Sequence, residues 1–354
     1  MASRGLPAYV LQRVLLAVPM LLILVTFVFL LLHVAPGDPV LALAPQGAPP
    51  ETIERIRHDL GFDKPMWRQY VDYVLQLAHF DLGDSYTARG VTVWSRIGAT
   101  FPATLELTMG AMAVALGVGL VLGALAGAKR GGWLDLLARL FGILIYSAPV
   151  FWLGLIAILL FSVLPHEAGY AWALPSGSRG VPAHWGWGSH RGEIAETTGM
   201  NSLDSLLALD GAAFWDNARH LVLPATTLGL VIGGIFVRIT RVNMLQTMRA
   251  DYVDAARARG VAERHVIFRH ALKNALIPVI TIVGLTFALL LGGAVLTENV
   301  FNWPGIAREL TRAIANRDYP LVQGITIFIG SIVILVSIAI DLLNAAVDPR
   351  VRYS

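Results

Sequence analysis

Six apolar stretches, each long enough to cross a bilayer, alternate along this chain with polar segments of very unequal length. The first, residues 10–34, has an apolar core from Val14 to Leu32. At about 1.5 Å of rise per residue, that core as a helix matches the roughly 30 Å hydrocarbon thickness. The other spans are expected at about 104–128, 136–164, 219–239, 277–297 and 321–344. Pro19 is expected to kink the first span and Pro149 to weaken the third midway. Between spans, Trp67, Tyr70, Val71, Val74 and Leu75 recur at helical spacing, which predicts a helix lying against the membrane surface. Gly110, Gly117, Gly123 and Gly127 are spaced so that helices could approach closely in lipid.

Charge orients this array. Lys129 and Arg130 in the short second loop, the bases of the long loop that follows the fourth span, and Arg350 and Arg352 in the tail all fall on one side. The segment at 35–100 has more acids than bases, and the segment at 165–218 carries Glu167, Glu193, Glu196, Asp204, Asp210 and Asp216. By the positive-inside rule the basic side is cytoplasmic, as are both termini. Arg4 and Arg13 precede the first span as in a signal peptide, but the apolar run is too long and lacks a small-residue cleavage site, so a retained span is expected.

The polar stretch from Arg238 to Pro278 organises the rest. Leu245, Met248, Tyr252 and Ala255 fall at three- and four-residue steps and are expected to share one helix face. Arg241, Arg249 and Arg257 fall mostly on other faces. Gly260 interrupts the pattern, a second helix-compatible run covers 263–275, and Pro278 opens the next span. Glycine suits the reversal because it tolerates positive φ. A helical hairpin projecting into the cytoplasm could dock a soluble partner or simply connect two spans.

Asp254-Ala255-Ala256, with Gly260, Ile267 and Pro278 beyond, resembles the "EAA…G" loop of the membrane subunits of binding-protein-dependent ABC importers. Asp254 stands where glutamate is usual, one methylene shorter. APGDP (35–39), GFDKP (61–65), DLGDS (81–85), FPATLELT (101–108) and LPSG (174–177) are similar to strings of the dipeptide/oligopeptide branch of that family. ENVFNWPG (298–305) resembles the family's short re-entrant or surface stretch, RDYP (317–320) opens the sixth span, and DPR (348–350) resembles a common family ending. The resemblance covers nearly the whole chain apart from about 178–215. It implies an all-α polytopic protein with six transmembrane helices and the type I ABC importer permease fold. Residues 1–34 would form the N-terminus and first span, 35–100 an extracytoplasmic segment with surface helices, and 101–354 the permease core. That core would carry an extracytoplasmic insertion at 165–218 and a cytoplasmic coupling loop at 240–276. The implied partners are a homologous second permease, two ABC ATPase subunits, an extracytoplasmic substrate-binding protein and membrane lipid. The implied place is a bacterial or archaeal inner membrane, and the implied cargo is a dipeptide or oligopeptide.

Composition agrees with a membrane protein: 56% of residues are hydrophobic, 14% are charged, and mean hydropathy is +0.64. A net charge of +3 is too mild to argue for nucleic acid. There are no cysteines, hence no disulfide, thiolate metal site or thiol nucleophile. No G-x-x-x-x-G-K-[ST] loop is present to cradle ATP phosphates, and H-E-x-x-H and G-x-S-x-G are absent. The chain is expected to carry no cofactor and to depend on partner ATPases for energy. Glu106, near the outer end of the second span, and Asp341, near the inner end of the sixth, are candidates for the pathway or a gate, or else solvated interfacial groups. His33 is expected at the interface, and His184 and His190 are weighed as metal ligands against interfacial anchors. Nickel, glutathione or another small solute stays open as cargo. So do a stand-alone secondary transporter and a membrane scaffold or enzyme without transport.

Overall fold

Residues 6–34, 40–41, 44, 47–88, 90–180 and 197–347 are described in the computed structural model. Among them the backbone is helical apart from turns, short loops and an isolated antiparallel bridge between Asp84 and Thr92. The chain divides into two compact units, residues 1–101 with 305–354, and residues 102–304.

The first unit begins with α1 (Leu6–Val34), then α2 (Pro50–Asp59), α3 (Met66–Ala78) and the first turns of α4 (Val93–Ala128). Those turns explain why α4 starts before the expected position of 104. Thr92 accepts a bond from the Ser95 N–H at 3.1 Å, and Val93 and Ile97 are buried in a protein core rather than in lipid. Hydropathy alone stops at Ser95 and Arg96, whereas one buried stripe suffices to hold a helix. The amphipathic helix expected around Trp67 is α3. Its Tyr70 hydroxyl bonds Thr26 of α1 at 2.7 Å, while Trp67, Val71 and Leu75 are exposed.

The second unit takes up the rest of α4 and continues through α5 (Trp133–Ser147), α6 (Val150–Glu167), α7 (Asn201–Leu207) and α8 (Gly211–Thr247). The apolar stretch at 136–164 is thus two helices. Ala148 is extended (ψ 132°) ahead of Pro149, as the proline ring requires of its predecessor, and the helix restarts at Val150. Inside α6 the residues Leu159–Val163 form a π turn, and the Phe161 carbonyl accepts from the Leu174 N–H at 2.8 Å. Asp210 caps α8 by accepting from Ala213 N–H at 3.0 Å. This helix runs past the expected end at 239 to Thr247, because Arg241 and Asn243 continue it as readily as apolar residues would.

α4 and α8 lie parallel in close contact. A Cβ on Gly123 would stand 2.6 Å from Thr240 Cβ, and Gly119 and Gly127 press in the same way on Phe236 and Met244. The ridge of glycines on α4 therefore meets the i, i+4, i+8 row of α8. Gly117, expected among the packing glycines, faces open space, and Gly119 takes that place. The unit closes with α9 (Asp251–Ala258), α10 (Glu263–Ala275), α11 (Ile277–Leu291) and α12 (Val295–Val300).

The chain then returns to the first unit with α13 (Ile306–Ala315) and α14 (Tyr319–Val347). Val28 and Leu32 of α1, Val93 and Ile97 of α4, Ile306 of α13 and Ile325 of α14 form that unit's core. Among the described residues five helices, α1, α4, α6, α8 and α14, are long and apolar enough to cross a membrane, and α10 with α11, bent by 54°, makes up to a sixth.

Candidate functional site

The polar loop is a folded hairpin. α8 ends at Thr247, and Ala250 is extended (φ −81°, ψ 143°), so helical phase restarts at Asp251. For that reason Leu245, Met248, Tyr252 and Ala255 do not share a face. α9 buries Val253 and Ala256 instead and leaves Tyr252, Asp254 and Ala255 exposed.

Gly260 ends α9 with φ +77°. Its N–H donates to the Arg257 carbonyl at 2.9 Å and the Val261 N–H to the Ala256 carbonyl at 3.2 Å. That pair of bonds is the Schellman arrangement, which satisfies the last carbonyls of the helix and turns the chain back. Arg257 donates to Asp254 within α9 at 3.2 Å and, across the turn, to Glu263 at 2.9 Å, which ties the two arms together. The Arg257 hydrogen bond holds the Glu263 carboxyl below its ordinary range.

α10 carries a π turn at Val266–Ala271. The extra residue keeps Val266, Ala271 and Ala275 on one buried side despite their five- and four-residue spacing. These three pack with Val253 and Ala256 on Ala124 of α4 and Met244 of α8, with Ile267 half-buried at the edge. Pro278 stands in the first turn of α11, where the chain bends by 54°. Its missing N–H and its ring crowd the preceding turn, which accounts for the bend. The hairpin thus presents Asp251, Asp254, Arg257 and Arg259, with Tyr252 and Phe268 as exposed rings (42% and 49%), from a rigid seat. Aromatic anchors amid charges are the composition of a protein-binding surface. The exposure of Phe268 was not legible in the sequence, because it depends on the phase of the π turn.

Glu106 is only 5% exposed, which removes the solvated reading. Its carboxylate accepts from Arg179 Nε at 2.8 Å and from the Ser202 N–H at 2.7 Å. Asp341 pairs with Arg13 at 3.1 Å, both groups partly exposed. His33 stacks on Phe29 with ring centroids 3.9 Å apart and bonds Gln69 at 3.0 Å. His184 and His190, the APGDP string and the DPR ending lie outside the described residues.

Two clasps join strings that are far apart in the chain. In the first unit, Asp318 of RDYP accepts bonds from the DLGDS end and its continuation: Ser85 Oγ at 2.5 Å, Tyr86 N–H at 3.1 Å and Thr87 Oγ1 at 2.8 Å. In the second, the Trp303 indole donates to the Ala103 carbonyl at 2.8 Å, Thr104 Oγ1 donates to Glu298 at 2.8 Å, and the Ser178 N–H donates to the Phe301 carbonyl at 2.7 Å. FPATLELT, LPSG and ENVFNWPG therefore meet in one knot, with Glu298 and Trp303 fully buried.

Residues 119–353 match the family described as "Binding-protein-dependent transport system inner membrane component". Residues 6–108 match the N-terminal component of the same transport systems. The chain is 40% identical over 347 residues to the di/tripeptide transport system permease protein DppB of Pseudomonas aeruginosa, covering 98% of this chain and 99% of that protein. It is 37% identical over 355 residues to the dipeptide transport system permease protein DppB of Escherichia coli K12, 98% of each chain. The corresponding protein of Alkalihalophilus pseudofirmus is 36% identical over 346 residues, 98% of this chain and 99% of its own.

Proposed function

Because this chain belongs to the family of binding-protein-dependent transport system inner membrane components, we propose that it forms part of the path by which peptides enter the cell. It is a multi-pass inner-membrane permease subunit of an ABC importer. The substrate class follows from the relatives, which are named for dipeptides and tripeptides, so nickel and glutathione are disfavoured as cargo.

On this reading the hairpin α9–α10 couples the membrane to a cytoplasmic ATPase. The observation that carries it is the seat of α9: Val253 and Ala256 are buried on α4 and α8, while Asp254, Ala255 and Tyr252 face outward. A force applied to that face reaches two long helices through a packed core. Energy arrives from nucleotide hydrolysis elsewhere, and the hairpin biases two states only through contacts that differ between them. A second permease completes the path, and an extracytoplasmic binding protein delivers the peptide.

The test is reconstitution in vesicles with and without the ATPase pair and binding protein. ATP-dependent uptake of a labelled dipeptide, absent when any partner is left out, is the expected result. Uptake by this chain alone would overturn the reading.

A further inference from the structure

A groove of about 780 Å³ opens between α5 and α8. Its walls are apolar, made by Gly142, Ile143, Tyr146, Gly234 and Val242 among others, yet it also holds Arg139, Arg238 and Arg241 and no acidic residue. Asp135, just outside the lining, is taken by Arg241 and lies 3.7 Å from Arg139. Arg238 is exposed and pairs with no acid among the described residues. At about 1.5 Å per residue, Arg139 lies roughly 9 Å from the start of α5 and Arg238 roughly 14 Å from the end of α8. By the positive-inside rule both ends are cytoplasmic, so the two arginines lie toward the inner headgroup region, with Ile143, Tyr146 and Gly234 of the walls deeper along the helices. Long cationic side chains span such a boundary at little cost.

We propose that this groove is a binding site for an anionic phospholipid of the inner leaflet. The phosphate sits between Arg139 and Arg238, and an acyl chain follows the surface at Gly142 and Gly234. Charge decides the occupant. A zwitterionic lipid leaves surplus positive charge uncompensated, and a purely apolar partner covers the arginines without supplying an anion. Basic pockets between transmembrane helices on the cytoplasmic side suit anionic headgroups.

The test uses full-length protein in mild detergent, titrated with phosphatidylglycerol or phosphatidylcholine and read by native mass spectrometry. Wild-type protein is expected to hold phosphatidylglycerol at least about tenfold more tightly, as a surplus of one or two uncompensated charges near the headgroup implies. Arg139→Gln with Arg238→Gln should abolish that preference, and Arg139→Lys with Arg238→Lys should keep most of it. Gly142→Leu, whose Cβ meets only the Gly234 carbonyl at 3.9 Å, should fill the groove and weaken both lipids. Arg249→Gln, on the cytoplasmic loop, should change neither. A preference that survives the double glutamine variant would overturn the proposal. Displacement of the lipid by millimolar inorganic phosphate would too, since the site would then be one for free anions. Cross-linking of Ile143→Cys to a second permease in the assembled transporter, with loss of the lipid, would show a subunit interface instead.

Discussion

The carboxylate of Asp318 accepts a 2.5 Å hydrogen bond from the hydroxyl of Ser85, a residue 233 positions earlier. Asp318 is fully buried, and Thr87 and the Tyr86 backbone point at the same carboxylate. Asp318→Ala should leave those donors unsatisfied and cost about 2–3 kcal/mol or more. Asp318→Asn, which keeps an acceptor oxygen, should cost less. Thermal unfolding of the detergent-solubilised variants checks the order. Equal melting temperatures for all three proteins would show that the clasp is idle.

Gly117 and Gly123 predict opposite outcomes from the same substitution. Gly123→Leu places atoms where Thr240 and the Val237 carbonyl already are, and should cost at least the roughly 1–3 kcal/mol of ordinary overpacking. Gly117→Leu enters open space and should leave folding unchanged. Yield of monodisperse protein on size-exclusion chromatography distinguishes them.

Glu106 and Arg179 should be energetically coupled. Each single substitution to glutamine strands a charge in a poorly hydrated site, about 3–5 kcal/mol for a buried pair. The double variant should recover part of that loss, with a coupling of the order of 1 kcal/mol or more in a double-mutant cycle. Strict additivity of the two effects would dismiss the pair.

Gly260 and Asp254 test the hairpin. Gly260→Val forces a β-branched residue to φ +77°, where L side chains are strained by roughly 1–2 kcal/mol or more. Asp254→Lys reverses the charge that Arg257 meets at 3.2 Å. Both variants should insert in the membrane and still assemble, while ATP hydrolysis no longer drives uptake. Wild-type uptake in the two variants would remove the hairpin from the coupling scheme.

Much of this protein was written in its linear pattern. The apolar runs marked where the long apolar helices lie, because lipid demands a length, and the loop charges carry the expected orientation. Gly260 and Pro278 could be singled out because a turn and a bend each have a local cause, and Asp254 through its place in the EAA…G resemblance. Boundaries were less legible. Ser95 and Arg96 hid the first turns of α4, whereas the break at Pro149 was expected from the proline itself.

The chain by itself determined its class, the order of its apolar helices and the place of the hairpin, since those depend on composition and on local backbone preferences. Only the tertiary structure decided which glycine meets Phe236, that Glu106 is bound by Arg179, and that Asp318 holds the DLGDS segment. Such pairings join residues far apart in the chain, and they depend on helix phase. A single residue inserted at a π turn or a break before proline changes that phase without leaving a mark on the hydrophobic pattern.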